Sequence, residues 1–354
     1  MIKFETYDLE KEIEKIKKTP YTCTGFLDWY SSAKILEEIY GLKHADKLKA
    51  RIYHGIFATD YEWNYLKAID CEYPVLCTRQ SQVDFLINSG RKGQTLATGA
   101  LFPLYKNSKN IKPAENANGT IVFPVHPAAH ISTTVNWGNY IQQLKNLPEE
   151  FKPINICLHW RDIANNHQEI FLENGFNVYC SGHCNDTDFV DNFYEILRHH
   201  KFATSNNEMS SALLYAIDFG LPTFVYGKEN ELPLNFSKNQ MCGHTEDEMQ
   251  KYYEINTEFF NRVIPKYPNI SVTDENKAEI DIILGFTSEI NKNKIQNILQ
   301  KEINKNRILN LTDNFVKIEK IKLKDGSEKY VKNKITVLKF IKFSFKIRIK
   351  KNDK

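Results

Sequence analysis

The chain has 354 residues, of which 26% are charged and 42% hydrophobic, and its formal net charge is +3 at pH 7. This length allows two ordinary domains, each with its own core. No apolar run approaches the roughly 20 residues that a membrane helix needs, and residues 1–18 are charged throughout, so we predict neither a membrane span nor a signal peptide. The seven cysteines are an odd number without regular spacing, which favours reduced thiols in a cytoplasmic protein over a disulfide framework.

The charge is unevenly distributed along the chain. Residues 332–354 hold nine Lys or Arg against one acid, Asp353, a net charge of +8, which leaves −5 for the rest. A slightly acidic body therefore carries a basic tail, which we place at residues 311–354. No nucleic-acid motif accompanies this charge, so nucleic acid is not a predicted partner.

The first 112 residues predict a small α/β domain. Two helices are expected before residue 42, and the first of three short apolar strands stops at His54-Gly55. His54 and, six residues later, Asp60 are titratable side chains at this strand end. Ligands of open parallel sheets bind beyond the carboxyl ends of the strands, so both are candidate site residues.

A polar, Asn-rich linker at 106–119 is followed by four strand-turn-helix repeats. The strands are expected to begin near Thr120, Ile154, Asn177 and Phe202. Because parallel strands need crossover helices, this alternation predicts a doubly wound parallel sheet in a Rossmann-like domain over residues 113–310. The predicted fold class is therefore α/β with two domains.

Each of these four strands ends in a polar turn, and all four turns fall on the same edge of the predicted sheet. The residues concerned are His126 and His130, His159 and Arg161, Ser181 and His183, and the segment Ser205–Ser211. A single histidine at a strand end is usually structural or merely exposed. Four polar turns on one edge indicate a ligand site instead.

The segment 201–227 is the most informative of the four. It predicts a short strand, a polar turn, a helix that opens at Glu208 and a second strand. The side chains expected around the start of this helix are Ser205, Asn206, Asn207, Ser210 and Ser211. Two interpretations remain open: an anion such as phosphate binds at the helix N-terminus, or these residues simply cap the helix.

A metal site is not predicted. Cys180, His183 and Cys184 lie close together, as zinc ligands do, but a fourth ligand with suitable spacing is missing. We therefore expect neither a metal nor a cofactor.

The tail alternates apolar and polar, mostly basic, residues from Ile341 to Lys350, and a period of two predicts a strand. Two interpretations stand side by side. Either the lysines keep an edge strand soluble, or residues 332–354 contact anionic lipid or a polyanionic acceptor. The second would make the protein peripheral at the inner face of the cell membrane.

Two motifs of the second domain resemble those of known families. Phe123-Pro124-Val125-His126-Pro127 resembles the His-Pro motif of bacterial sialyltransferases, and Ser210-Ser211 resembles their paired Ser-Ser motif. In those families both motifs hold the CMP moiety of the donor. The acidic Asp-Asp-Gly type motif of their first domain is not present in this chain.

A second family shares other features. His54-Gly55, and Ser210-Ser211 followed by GLPTFVYG, look like the CDP-glycerol glycerophosphotransferases of teichoic acid assembly. In that family a His-Gly in the first domain is linked to catalysis. Over about residues 50–228 the chain is most similar to proteins of bacterial capsule and surface-polysaccharide loci.

The resemblance implies the GT-B architecture, with two Rossmann-type domains facing a cleft. It implies a metal-independent glycosyltransferase that moves a sugar or polyol phosphate from a nucleotide-sugar donor, cytidine-linked in both families, to a glycan or lipid-linked glycan acceptor. That acceptor would be a bacterial surface polysaccharide or lipooligosaccharide. The residues expected to bind the donor are His126, Pro127, Arg161, His183, Ser205, Asn207, Ser210 and Ser211.

The acceptor hydroxyl needs a general base. An imidazole titrates at about pH 6.5, which suits this task, so His54 is the first candidate and Asp60 the second. Two other hypotheses remain: a pyruvyl-type group transferase on the same scaffold, or a non-catalytic glycan-binding subunit of a polysaccharide assembly system.

Overall fold

The computed structural model describes residues 3–21, 27, 29–52, 55–60, 69–126, 131–132, 135–227, 235–236, 245–287, 290–315, 318–322 and 328–332. The predictions for His54, Pro127 and the tail beyond residue 332 lie outside the described residues. The chain forms two compact units, Met1–Ile303 and Asn304–Lys354. The predicted domain boundaries at residues 112 and 310 stay predictions.

The structure contains both helices and short strands, in alternation. The helices are α1 (Leu9–Lys18), α2 (Ser32–Tyr40), α3 (Gln80–Asn88), α4 (Leu101–Ser108), α5 (Trp137–Lys145), α6 (Trp160–Ala164), α7 (Gln168–Glu173), α8 (Phe189–Arg198), α9 (Ser211–Asp218), α10 (Glu246–Val263), α11 (Asp274–Ile283) and α12 (Lys292–Phe315). The strands are β1 (Arg51–Ile52), β2 (Val75–Cys77), β3 (Thr95–Ala97), β4 (Thr120–Val122), β5 (Ile131–Ser132), β6 (Ile154–Cys157), β7 (Asn177–Tyr179), β8 (Phe202–Ser205), β9 (Thr223–Val225), β10 (Asn235–Phe236), β11 (Ile318–Lys322) and β12 (Glu328–Lys332). Short 3₁₀ helices occur at Phe4–Thr6, Ala45–Lys47 and Glu149–Phe151.

The larger sheet has five parallel strands in the order β7-β6-β4-β8-β9. Thr120 of β4 pairs with Ile154 on one side and with Phe202 on the other. The chain builds outward from β4 through β6 to β7, and then returns to the far side of β4 for β8 and β9. This is the doubly wound order, in which crossover helices cover both faces of the sheet.

Buried strands of this kind are apolar throughout, because both faces of a parallel sheet are covered. Every residue of β4, β6 and β9 is buried. Thr120 is a polar exception, and its hydroxyl donates to the carbonyl of Phe151 at 2.7 Å, so no donor is left unsatisfied there.

The smaller sheet has three parallel strands in the order β1-β2-β3. Together, the two sheets confirm the predicted α/β class with two Rossmann-type parallel sheets, the second doubly wound. A separate antiparallel pair joins β5 to β10.

Later helices return to the first sheet. The carbonyl of Leu284, just after α11, accepts the N–H of Ala100 at 2.9 Å. Ile295, Leu299 and Ile303 of α12 are buried in the same core as α2. Segments that precede the larger sheet in the sequence and segments that follow it therefore both cover the first sheet.

The N-terminal helix α1 contacts α6 and lies at the β6–β7 end of the larger sheet. Ile16 is buried in the core that contains Ile156 and Val178 of that sheet. Tyr7 Oη accepts the N–H of Cys180 at 2.9 Å, which fixes this segment to the residue after β7.

In the second unit β11 and β12 form an antiparallel pair, with Lys320 opposite Tyr330. Among the helices that the structure describes, none combines the length and the apolar character that crossing a bilayer requires.

Candidate functional site

The order of the larger sheet places a switch point between β4 and β8, because the crossovers from these neighbours run in opposite directions. Pairing of the two strands continues past their ends. Phe123 N donates to Thr204 O at 2.8 Å, and Val125 N donates to the side-chain oxygen of Asn206, also at 2.8 Å. Ligands of open α/β sheets bind at such a point, so the residues around Val125 and Asn206 define the candidate site.

Asn206 is the polar side chain at the centre of this switch point, and it is 0% exposed. Its Oδ1 accepts the Val125 N–H, whereas its Nδ2 is buried and has no hydrogen-bond partner. Leaving a buried donor unsatisfied costs about 1–3 kcal/mol. The amide therefore offers hydrogens that the described protein atoms do not use.

The polar turn after β8 is shaped by its own side chains. Ser205 Oγ accepts the N–H of Asn207 at 3.0 Å, and Asn207 Oδ1 accepts the N–H of Met209 at 2.7 Å. These bonds hold a non-helical turn through Glu208, so α9 begins at Ser211 and not at Glu208 as predicted. The competition of Ser and Asn side chains with helical hydrogen bonds explains the difference.

The N-terminus of α9 has no side-chain cap. Ser210 occupies the N-cap position, but its hydroxyl makes no capping hydrogen bond. The first N–H groups of a helix have no internal partner and carry the positive end of the helix dipole. The geometry therefore does not favour the interpretation that Ser210 merely caps the helix. It agrees instead with an anion bound at this helix N-terminus.

Ser211 connects the two sheets. Its Oγ accepts the backbone N–H of Ile56 at 3.0 Å, and Ile56 follows β1 of the smaller sheet. A second link lies nearby, where Ala58 N donates to Asn256 Oδ1 of α10 at 2.8 Å. The loop after β1 therefore lies against the start of α9, and the candidate base His54 precedes this loop by two residues.

Asp60 is at the end of the same loop. Its Oδ1 accepts hydrogen bonds from Arg79 Nε at 3.0 Å and from Ser81 Oγ at 2.6 Å. Arg79 is buried and also donates to the carbonyls of Phe57 and Ala58, each at 2.8 Å. The described contacts of Asp60 fix the loop, which is a structural task distinct from the predicted role as a base.

His126, the exposed residue that follows the end of β4, stacks on His159. Their ring centroids are 3.7 Å apart and their planes differ by 12°. His159 Nδ1 accepts the N–H of Arg161 at 3.3 Å, and its Nε2 lies 3.3 Å from Tyr30 Oη. These two contacts, to the Arg161 N–H and to Tyr30 Oη, hold the His159 ring in place against His126.

A buried carboxylate lies beneath this pair. Asp162 is fully buried, and its Oδ1 is 3.0 Å from His167 Nδ1. Burial raises the pKa of Asp162, while the nearby imidazoles of His126 and His167 act in the opposite direction. The two imidazoles thus oppose the effect of burial on the pKa of Asp162.

Arg161 and His183 lie on an aromatic cluster at the ends of β6 and β7. The Arg161 guanidinium is 4.6 Å from the Trp160 ring centroid and 5.1 Å from that of Tyr21. His183 is buried, with its ring 4.3 Å from Trp160. Burial lowers the pKa of His183 and the charge of Arg161 acts in the same direction, whereas Asp186 opposes them. His183 is therefore a neutral support of this cluster near pH 7.

Two carboxylates after β7 are spaced as Asp186-Thr187-Asp188, a spacing that metal-nucleotide sites use. Both are engaged in ion pairs, Asp186 with Lys15 and Asp188 with Lys34 at 2.7 Å. The hydrogen bond from Lys34 lowers the pKa of Asp188 to about 2. Across the described residues, no group of three or more His, Cys, Asp or Glu side chains is arranged to hold a metal ion.

The structure thus brings several candidates to one edge of the larger sheet. His126 and Arg161 meet through His159 and Trp160, while Ser205, Asn207 and Ser210 surround the start of α9. Ser211 faces the smaller sheet, and Asp60 lies in the loop that follows β1. His54 and Pro127 lie outside the described residues.

Asn206 and His159 belong to the polar turns that the sequence singled out, but neither was among the residues expected to bind the donor. Burial distinguishes Asn206 from its polar neighbours, and only the assembled sheet shows that His159 stacks on His126. Tyr21 carries no comparable signal, because its contact with Arg161 spans 140 positions of sequence.

Comparisons with known proteins leave the family open. The chain matches no protein-family model and no curated protein sequence. Among solved structures it resembles the wall teichoic acid polymerase TagF at 12% identity and a TM-score of 0.35, over 75% of this chain and 69% of TagF. It also resembles the trehalose-6-phosphate synthase OtsA at 12% identity and a TM-score of 0.25, over 75% and 65% of the two chains. Likeness at these TM-scores carries no argument, so the fold assignment rests on the strand order.

Proposed function

We propose that this chain is a glycosyltransferase of the GT-B type. It would bind a nucleotide-linked donor at the carboxyl edge of the larger sheet. The sugar, or a polyol phosphate, would pass to a glycan or lipid-linked glycan of a bacterial surface polysaccharide or lipooligosaccharide. Two parallel sheets whose carboxyl edges approach each other, through Ile56 and Ser211, support this proposal.

The observation that carries the proposal is the unused amide of Asn206 at the switch point. It lies between β4 and the uncapped start of α9, where phosphate groups bind in doubly wound sheets. A donor phosphate accepting from Asn206 Nδ2 would remove the cost of the unsatisfied hydrogens. Ser210, five residues from the end of β8, would supply a second donor, its hydroxyl.

Charge supports a phosphate leaving group at the same edge. The bond to the nucleotide phosphate breaks with a build-up of negative charge on its oxygens. Groups already oriented toward that charge lower the barrier, and mutational losses of one such donor are about 10²–10³ in rate. The helix N-terminus, Ser210 and His126 would fill this role. We extend the proposal to a cytidine-linked donor and to transfer that needs no metal, as the resemblance implies.

The acceptor hydroxyl would lose its proton to His54, which stands two residues before Ile56 in the sequence. Arg79 fixes the loop through Asp60 and the carbonyls of residues 57–59, so the segment that follows the base is held in place. A fixed base within hydrogen-bond reach of the hydroxyl is what general-base catalysis requires.

The test is a thermal-shift panel of CMP, CDP, UDP, GDP and ADP, with and without magnesium, on the wild type and the Asn206→Ala and His126→Ala variants. A ligand that binds only the folded state at 100 times its Kd stabilises it by about 2.7 kcal/mol. We expect a cytidine nucleotide to stabilise the wild type without magnesium. Its shift, measured against each variant's own unliganded midpoint, should shrink in both variants.

Lys145→Gln is the matched control, because Lys145 is exposed and its ammonium donates to Asn174 Oδ1 at 2.8 Å, a contact that involves no residue of the candidate site. It should keep the full nucleotide shift. A flat response of the wild type to every nucleotide would overturn the proposal. The pyruvyl-type transferase and the glycan-binding subunit would then be the hypotheses to pursue.

A further inference from the structure

Arg161 is held by aromatic rings at the edge of the candidate site. Its guanidinium lies over both Tyr21 and Trp160, whose ring centroids are 5.5 Å apart. Trp160 is buried, whereas Tyr21 is 45% exposed. A guanidinium stacked on rings keeps a defined plane, so its N–H groups point in fixed directions.

Among the residues that the structure describes, this guanidinium has no anionic partner. Arg161 makes no side-chain hydrogen bond and no ion pair with any of them, which distinguishes it from Arg262 and Arg79. Arg262 also stacks on a ring, that of Phe259 at 5.3 Å, but it forms an ion pair with Glu279. Arg79 likewise pairs with Asp60.

The carboxylates near Arg161 are used elsewhere. Asp162 is buried and bonded to His167, and Asp186 is paired with Lys15. The other titratable side chains nearby are the imidazoles of His126, His159 and the buried His183, and the phenol of Tyr30. Among the described residues, the positive charge of Arg161 therefore has no carboxylate bonded to it.

Two features of this surface define what fits it. The guanidinium presents a planar fork of donors that matches the oxygens of a carboxylate or a phosphate. Tyr21 is 45% exposed although it stacks on Trp160 and Trp29, so its accessible part offers apolar area beside that fork, and burying such area is favourable. A ring-shaped ligand with an apolar face and an attached oxyanion meets both conditions.

We propose that Tyr21, Trp160 and Arg161 bind an acidic sugar unit of the glycan substrate, one that carries a carboxylate or a phosphate. The inference rests on the proposed function, because that function makes a sugar the ring-bearing ligand. It adds a substrate class, since a neutral glycan leaves the Arg161 charge without a counter-ion.

Binding is tested without any nucleotide, by saturation-transfer NMR titrations of the full chain. The probes are glucuronic acid for a carboxylate, glucose 6-phosphate for a phosphate, and methyl glucoside as the neutral sugar. We expect at least one acidic sugar to bind, and methyl glucoside to bind at least about tenfold more weakly. The acidic sugar that binds more tightly shows whether the preferred oxyanion is a carboxylate or a phosphate.

The variants are Arg161→Gln and Arg161→Lys, with Arg262→Gln as the matched control. Hydrogen bonds between charged groups contribute strongly to the binding free energy, so Arg161→Gln should weaken acidic-sugar binding at least about tenfold. Arg161→Lys keeps the charge without the planar fork and should lose less. Arg262→Gln should change nothing, and Tyr21→Ala should weaken all three sugars while Tyr21→Phe does not.

Equal binding of methyl glucoside and the acidic sugars would overturn the inference, as would unchanged binding in an Arg161→Gln variant with a wild-type unfolding midpoint. The outcome is separable from that of the proposed function. Nucleotide binding at the start of α9 is measured with Asn206→Ala and no sugar. Acidic-sugar binding is measured with Arg161 variants and no nucleotide.

Discussion

The backbone N–H of Ile56 donates a 3.0 Å hydrogen bond to Ser211 Oγ, and this bond joins the loop after the first sheet to the first residue of α9. The neighbouring Ser210 occupies the N-cap, yet its hydroxyl caps nothing. Two adjacent serines of one motif therefore have different surroundings. Ser211 is committed to the protein, and Ser210 faces the uncapped helix end that we assign to the donor phosphate.

Replacing each serine by alanine should separate these roles. Ile56 is buried, so Ser211→Ala leaves a buried N–H without an acceptor and should lower the free energy of unfolding by about 1–2 kcal/mol. Ser210→Ala removes no described hydrogen bond and should cost less than about 0.5 kcal/mol. Urea denaturation of both variants measures the difference.

Nucleotide binding should show the opposite ranking. Ser210→Ala is expected to reduce the nucleotide-induced thermal shift more than Ser211→Ala does. Equal loss of stability in the two variants would mean that the Ile56 bond does not distinguish them, and the assignment of Ser211 to the protein scaffold would fall.

The strands and their turns were predictable because buried parallel strands are continuous apolar runs. The order of those strands was not, since nothing local in Phe202–Ser205 specifies β4 as its neighbour. That pairing creates the switch point and buries Asn206. Similarly, the stacking of His126 on His159 arises from adjacent strands β4 and β6, which only the assembled sheet brings together.

At the start of α9, local side-chain hydrogen bonds override the helical pattern of the sequence. The segment after Glu208 has helical spacing, but Ser205 and Asn207 bond to backbone N–H groups two residues ahead and delay the helix to Ser211. The return of α11 and α12 to the first sheet depends on contacts far apart in sequence, such as that between Ala100 and Leu284. Hydrophobic periodicity does not indicate which distant segment a residue contacts.

His200 should make the stability of the fold depend on pH. It is fully buried, with Nδ1 bonded to the Ile196 carbonyl at 2.8 Å and Nε2 2.9 Å from Asn155 Nδ2. Burial lowers its pKa from 6.5 to about 4. The unfolded chain therefore takes up the proton first as the pH falls, so this contribution to stability is full above pH 6.5 and is lost as the pH decreases toward 4.

The lost contribution should approach about 3 kcal/mol below pH 4, because each pKa unit corresponds to about 1.4 kcal/mol. His200→Gln removes the titrating group, so its free energy of unfolding should fall less steeply than that of the wild type between pH 6.5 and 4. Urea denaturation at several pH values measures both slopes. Parallel slopes for His200→Gln and the wild type would contradict the assignment.

Gly285 should be irreplaceable because it meets the first sheet at close range. Its φ is +77°, and a Cβ there would lie 2.2 Å from the Thr78 carbonyl oxygen. Gly175 has a similar φ of +83° but nothing within 4 Å of its Cβ position. Gly175→Ala should therefore cost only the left-handed strain of about 1 kcal/mol, whereas Gly285→Ala adds overpacking and should cost about 3 kcal/mol or more.

Thermal unfolding of the two glycine variants measures the difference directly. Because the backbone strain is common to both, the excess in Gly285→Ala reports the contact between the end of α11 and Thr78. Equal midpoints would show that this contact does not hold the C-terminal helices against the first sheet.

Arg79 should control the order of the loop that follows the candidate base. Its guanidinium donates to the carbonyls of Phe57, Ala58 and Thr59 at 2.8, 2.8 and 2.5 Å, and its Nε bonds Asp60. Lysine has no planar fork and reproduces at most part of this set. Arg79→Lys should lower the free energy of unfolding by about 2–4 kcal/mol and free the loop backbone.

Arg91→Lys is the matched control, because Arg91 is equally buried and bonds the carbonyls of Cys71 and Tyr73 at 2.9 and 2.7 Å, away from this loop. Both variants should be destabilised, but only Arg79→Lys should accelerate hydrogen exchange of the Ile56 and Ala58 amides, measured by mass spectrometry. If the acceleration were the same in both, it would reflect global unfolding. If it were absent in Arg79→Lys, the loop would be fixed by its bonds to Ser211 and Asn256 alone, and Arg79 would have no part in presenting the base.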